Sequence, residues 1–209
     1  TSVTFPGAGL TTIARYAFYK CSGLTSVTFP EGLKTIGEAA FYRCTSLTSV
    51  TFPAGLTTIE DWAFHRCSGL TSLTFPAGTT IGEFAFKECS GLTSVTFPAG
   101  LTTIERYAFY LCSGLTSLTF PAGLTTIERY AFYKCSGLTS VTFPAGLTTI
   151  GEWAFYESGL TSVTFPAGLT TIGDKAFYEC SSLKSIVIPD SVTSIGNDVI
   201  KGCSSITFC

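Results

Sequence analysis

The chain has 209 residues, with 12 Lys and Arg against 14 Asp and Glu, a net charge of −2 and a pI near 5.4. This balance gives no overall basic character and argues against nucleic acid or an anionic membrane as partner. No apolar run reaches the roughly 18 residues that a membrane-spanning helix needs.

The first element, Thr1–Phe5, aligns with Thr25–Phe29, so the chain begins inside a strand and without Met. That start reads as a processed or excised boundary from which any signal peptide has gone, with residues 1–23 as an incomplete first coil. Prolines then punctuate the chain: Pro6, Pro30, Pro53, Pro76, Pro98, Pro121, Pro144, Pro166 and Pro189 fall 22 to 24 residues apart. The irregular intervals trace to an inserted Gly7, a Leu missing before Thr79 and a Cys missing before Ser158. Two neighbouring copies, Thr93–Leu115 and Thr116–Leu138, differ only at Val95/Leu118 and Leu111/Lys134, which sets a period of 23 residues. Self-similarity at this period predicts a solenoid, because one coil cannot bury its apolar face until neighbours stack on it. The unbroken repeat and the lack of a linker predict one elongated domain over residues 1–209, of about nine coils.

Within one copy the apolar period changes. Leu115, Leu118 and Phe120 follow the L-x-x-L-x-L pattern of a leucine-rich strand, and alternation sends Ser117 and Thr119 to the other face. Pro121, which has no N–H, ends the ladder, and Gly123 allows the turn. Leu124 and Ile127 mark a second short extended segment. Ala131, Phe132 and Cys135 then lie at helical spacing, so Glu128–Cys135 is expected to form one or two helical turns with that trio facing inward, stopped by Ser136–Gly137.

Several residue types recur as columns. Phe18, Phe41, Phe64, Phe86, Phe109, Phe132, Phe155 and Phe177 read as an inward stacking spine. Cys21, Cys44, Cys67, Cys89, Cys112, Cys135, Cys180 and Cys203 share one position and read as buried thiols, with disulfides between adjacent coils as the alternative. Cys209 stands apart, able to pair with Cys203 or to serve as a free thiol for dimerisation. The last coil drifts, with Val199 and Ile200 in place of Ala and Phe, so residues 181–209 read as a degenerate C-terminal capping coil.

Two surfaces qualify as binding faces. On the turn side, a column of mixed charge from Arg15 to Asp174 reads as solvated. Two flanking aromatic columns are expected to be partly exposed, and their centre is Tyr107, Tyr130, Trp153, Tyr110 and Tyr133. They suit either an interaction surface or packing between coils. On the strand side the outward residues are uncharged Ser and Thr, among them Ser94, Thr96, Ser117, Thr119, Ser140 and Thr142. The flanking Thr25, Thr48, Thr71, Thr93, Thr116, Thr139 and Thr161 stand where the last coil has Lys184.

The C-x-x-L-x-x-V-x-F-P, L-x-x-I and A-F-x-x-C elements together resemble the BspA-like (Treponema-type) leucine-rich repeats, over essentially the whole chain. The match is strongest in the last stretch, SSLKSIVIPDSVTSIGNDVIKGCSSI. The resemblance implies a curved right-handed solenoid, with parallel strands on one face and short helical turns on the other, carried on secreted or cell-surface proteins that often act as adhesins.

Catalytic chemistry finds no support. The single histidine, His65, falls in a Tyr/Lys column and reads as a surface substitution, so no Ser–His–Asp or Cys–His arrangement is available. One Cys per coil with no neighbouring His makes no metal site, the glycines are turn formers rather than a phosphate loop, and no cofactor is implied. Three functions remain open. One is an extracellular adhesion module for a protein or cell-surface partner, and another is ice binding by the Ser-x-Thr grid. The third is a structural spacer that self-associates through its open first coil.

Overall fold

The first ladder is built by the Ser-x-Thr triplets, which form three-residue strands at Ser2–Thr4, Ser26–Thr28, Ser49–Thr51, Ser72–Thr74, Ser94–Thr96, Ser117–Thr119 and Ser140–Thr142. The computed structural model describes residues 1–203 apart from Pro6 and Ala8; the expectations placed on Pro6, Cys209 and residues 204–209 lie outside it. Pairing is parallel and joins equivalent positions of successive coils, as in Ser117 with Ser140 and Thr119 with Thr142. The central Leu118 is buried while Ser117 and Thr119 are exposed, as the period of two requires. A second ladder of two-residue strands runs from Thr12–Ile13 to Ser194–Ile195 and turns each Ile inward except at the last, exposed Ile195.

Between the two ladders lies one continuous core, from Ile13 to Val199. Each coil before the last contributes two Phe rings. Phe97 and Phe109 of one coil meet edge to face at 5.6 Å. Between coils most rings stack on their equivalents, Phe97 on Phe120 at 5.3 Å and Phe109 on Phe132 at 5.5 Å. Edge-to-face and offset contacts are the favourable arrangements of ring quadrupoles. The expected spine is present, fully buried from Phe41 to Phe177.

The turn side differs from the sequence expectation: no helix occurs among the described residues. An α-helix is about 10 Å across, whereas coils sharing a parallel ladder are about 4.8 Å apart. Helices in every coil would not fit at that step. The segment Glu105–Cys112 instead alternates its amide donors. The N–H groups of Ala108, Tyr110 and Cys112 fold back to the carbonyls of Glu105, Tyr107 and Phe109, while those of Tyr107, Phe109 and Leu111 donate to Arg129, Ala131 and Tyr133 of the next coil. The alternation requires left-handed backbone twice per coil, at Tyr107 and Leu111, both with φ of 58°. These non-glycine positions cost of order 1–3 kcal/mol each and are held by the coil-to-coil bonds. Ala131, Phe132 and Cys135 do face inward, though for this reason rather than helical phase.

Side chains repeat the same logic. Cys44 through Cys180 are buried free thiols, each donating to a Phe carbonyl of the preceding coil, as Cys135 does to Phe109 at 3.2 Å. Burial pushes the Cys89 and Cys135 thiols up to about 12. The flanking Thr hydroxyls form a comparable row, Thr139 donating to Thr116 at 3.1 Å and Thr93 to Thr71 at 2.9 Å. That row gives the uncharged Thr column a structural use.

The two shortened coils are reread in space. Thr79 sits buried in the Leu position, its hydroxyl bonded to the carbonyls of Leu56 and Pro76, and Ser158 takes the Cys position beside Cys180 Sγ at 3.2 Å. The residues lost are therefore polar neighbours, and the core positions are refilled by hydroxyls with partners. The second ladder is interrupted just after this shortened coil, between Thr80–Ile81 and Thr103–Ile104.

Two outcomes follow for equilibrium denaturation. Phe132→Ala is expected to cost about 3–5 kcal/mol by opening a cavity in the spine. Leu111→Val is expected to cost about 1–2 kcal/mol and Leu111→Gly clearly less, because a β-branched residue suits positive φ worst and Gly best. A helical segment would reverse that order, with Gly the more damaging.

Candidate functional site

The two aromatic columns converge on the turn side because each left-handed residue and the residue three positions later project beside one another. Tyr107 stacks on Tyr130 at 4.7 Å, and Tyr130 on Trp153 at 6.1 Å. In the second column Tyr110 stacks on Tyr133 at 4.7 Å with the rings 1° from parallel, and Tyr133 on Tyr156 at 4.5 Å. Tilted contacts at 5.7 and 5.6 Å tie Tyr107 to Tyr110 and Tyr130 to Tyr133. All five sequence-predicted residues are brought together, each half-buried. Their faces are spent on one another, so packing between coils is present, and the part left to solvent is the rim of the stacked rings. Desolvation is the main cause that raises the phenol values of Tyr110, Tyr130 and Tyr133.

Cations frame this ledge. Lys87 lies 4.8 Å over Tyr110, and Lys134 lies 5.8 Å over Tyr133 while pairing with Glu157 at 3.2 Å. On one flank Glu38, Glu60, Asp61, Glu83 and Glu105 line a surface groove of about 450 Å3. Burial first, then the surrounding carboxylates, raises the Glu105 value. Among the described residues no group of three His, Cys, Asp or Glu is arranged to hold a metal ion.

The hydroxyl face is also as anticipated in exposure: Ser94, Thr96, Ser117, Thr119, Ser140 and Thr142 all face solvent. Its grid falls into three blocks, of three, two and two paired strands, with the pairing interrupted between Thr51 and Ser72 and between Thr96 and Ser117.

His65 departs from its expected place. It is only 4% exposed, wedged between Tyr42 at 4.8 Å and Trp62 at 5.0 Å. Its column packs against the preceding coil, where helical phase would have pointed it outward. Nε2 lies 3.3 Å from Glu88 Oε1, and the buried Nδ1 has no partner. Burial lowers its value to about 4, against the opposing pull of Glu88. Sequence reading also missed the cations beside it, Lys20, Arg43 and Arg66, which occupy one column but vanish in the whole-chain charge balance.

Because the folded His65 value lies below the ordinary imidazole value, its contribution is fully present above about pH 6.5 and is lost as pH falls toward 4. Each pH unit in that window removes at most about 1.4 kcal/mol. The His65→Tyr variant, which carries the residue usual in the column, is expected to melt more nearly alike at pH 7 and pH 4.5 than the wild type does. Equal acid sensitivity of the two proteins would disprove the assignment.

Against known proteins, the chain matches the family described as BspA type leucine-rich repeat region, in six copies, over residues 1–116 and 102–208. A search of curated proteins finds no match. Among solved structures, a leucine-rich repeat protein from Bacteroides ovatus is similar at 32% identity and a TM-score of 0.92, over 99% of this chain and 54% of that one. The chain thus spans about half the length of that protein. A leucine rich cell surface protein from Faecalibacterium prausnitzii is similar at 28% identity and 0.55, over 95% of this chain and 68% of that one. The pneumococcal vaccine antigen PcpA is similar at 28% and 0.64, over 95% and 53%.

Proposed function

Because this chain belongs to the BspA-type leucine-rich repeat family, we propose that it is a secreted or cell-surface binding module that adheres to a protein partner through its turn side. The observation that carries the reading is the ledge of ring edges at Tyr107, Tyr130, Trp153, Tyr110 and Tyr133, pre-stacked by contacts of 4.7 to 6.1 Å. Tyr and Trp are enriched at interface hot spots. Rings already fixed by their neighbours lose little conformational freedom on binding, which removes one of the main costs of association. Leucine-rich repeat modules generally bind rather than catalyse, and the chain's single histidine is buried in a structural role.

A surface location is supported by two of the similar structures, one described as a cell surface protein and the other as a vaccine antigen. Those descriptions belong to those proteins; they give this chain a setting, not a ligand.

The test must remove contacts without collapsing the stack. Replacing Tyr107, Tyr110, Tyr130 and Tyr133 by Phe keeps the rings and deletes four hydroxyls. Binding to immobilised extracellular-matrix proteins, read on a biosensor, is expected to weaken about tenfold, or about 1.4 kcal/mol. The Thr96→Lys, Thr119→Lys, Thr142→Lys triple variant is expected to bind as the wild type does. Loss of binding only in the Lys variant would move the site to the strand face. If the activity lost there were ice-growth inhibition, the hydroxyl grid would be the functional surface.

A further inference from the structure

The flank of the turn side opposite the acidic groove carries a local excess of positive charge. Lys20, Arg43 and Arg66 occupy the same left-handed position in three successive coils, with φ of 58, 59 and 61°. Their spacing follows the adjacent ring column, 4.9 Å from Tyr19 to Tyr42 and 4.8 Å from Tyr42 to His65. Together with Ser22 and Thr45 they line a groove of about 450 Å3, which continues past Thr45 and Arg66 to Ser68 and ends its cationic character at Glu88. One wall is therefore cationic and the other hydroxylic. Arg66 is held by Glu88 at 2.6 Å, whereas no carboxylate pairs with Lys20 or Arg43 among the described residues. These two instead lie over Tyr19 at 5.0 Å and Tyr42 at 5.8 Å. Like charges stacked one per coil repel, and nothing in the core requires them, since the same position holds Leu111 without change of fold.

We infer that this groove binds a sulfated polysaccharide, laid along the solenoid axis with its sulfates on the two cations that no carboxylate pairs, Lys20 and Arg43, and its hydroxyls toward Ser22 and Thr45. The backbone excludes an added peptide strand: the N–H groups of Lys20, Arg43 and Arg66 are already bonded to Tyr42, His65 and Lys87 of the next coil. Recognition therefore has only side-chain charge and hydroxyls to use. A nucleic acid duplex is disfavoured by the carboxylates of Glu38 and Asp61 across the ring columns, which would repel a wide polyanion but not a single thin chain. The inference is independent of the protein-binding reading, which rests on later coils.

Titration calorimetry with a heparin-derived oligosaccharide tests it, alongside the desulfated oligosaccharide, polyglutamate and single-stranded DNA. Saturable binding of heparin at low salt is expected, with none of the desulfated form. Lys20→Gln with Arg43→Gln should weaken it about tenfold and lower the salt dependence by about two charges. Arg43→Lys, which keeps the charge, should retain binding, and a melting temperature like that of the wild type shows each variant folded. Lys134→Gln, in the same column but paired with Glu157, should leave heparin binding unchanged. Absence of heparin binding, an equal loss in the Lys134 variant, or tighter binding of polyglutamate or DNA would each overturn the proposal.

Discussion

The common rise of the coil governs this protein. Parallel strands on one side fix the step between coils at about 4.8 Å, and every other element must climb by the same amount. On the turn side that constraint rules out helices and leaves a backbone whose amide donors go alternately within the coil and to the next coil. The left-handed residues, such as Tyr107 and Leu111, are the conformational consequence. Local strain is accepted because it lets the polar backbone of a buried-edge turn be satisfied by its neighbour, where unpaired groups would be costly.

Identical spacing turns side chains into columns, and the columns divide the work. Phe, Leu, Ile and Cys fill the interior; Thr and Cys add side-chain donors to carbonyls of the preceding coil. Where a coil is a residue short, Thr79 and Ser158 enter the core and find partners. What remains free to vary is the charge column and the left-handed column, which is where function has room to reside.

Much of this was legible in the sequence. The 23-residue period, the inward Leu118 and Phe132, the buried thiols and the exposure of Thr96, Thr119 and Thr142 all follow from periodicity and residue type. The turn segment was misread because Ala131, Phe132 and Cys135 at helical spacing are also compatible with a chain of tight turns. A signal was available: across the coils neither left-handed position ever holds Val, Ile or Thr, although Thr and Ile recur in every coil. Positive φ excludes them, whereas a helix surface tolerates them at modest cost. The burial of His65 was hidden for another reason: it depends on ring contacts with Tyr42 and Trp62, which the phase within one copy does not contain. The row of Lys20, Arg43 and Arg66 recurs every 23 residues and was legible in the alignment of copies, though not in the net charge.

Repetition also poses a problem of register. A ledge of equivalent ring edges recurring every coil offers a partner several nearly equal positions, displaced by one step. Specific docking then needs residues that break the pattern, and these cluster in coils three and four. There His65 and Lys87 interrupt the outer ring column, and Glu88 ends the run of cations. Their contacts interlock, since Glu88 joins both His65 and Arg66 and Lys87 caps the ring of Tyr110. The irregular coils therefore carry residues that adjoin the basic groove, the acidic groove and the ring columns. A ligand spanning two of these surfaces could bind in one register only.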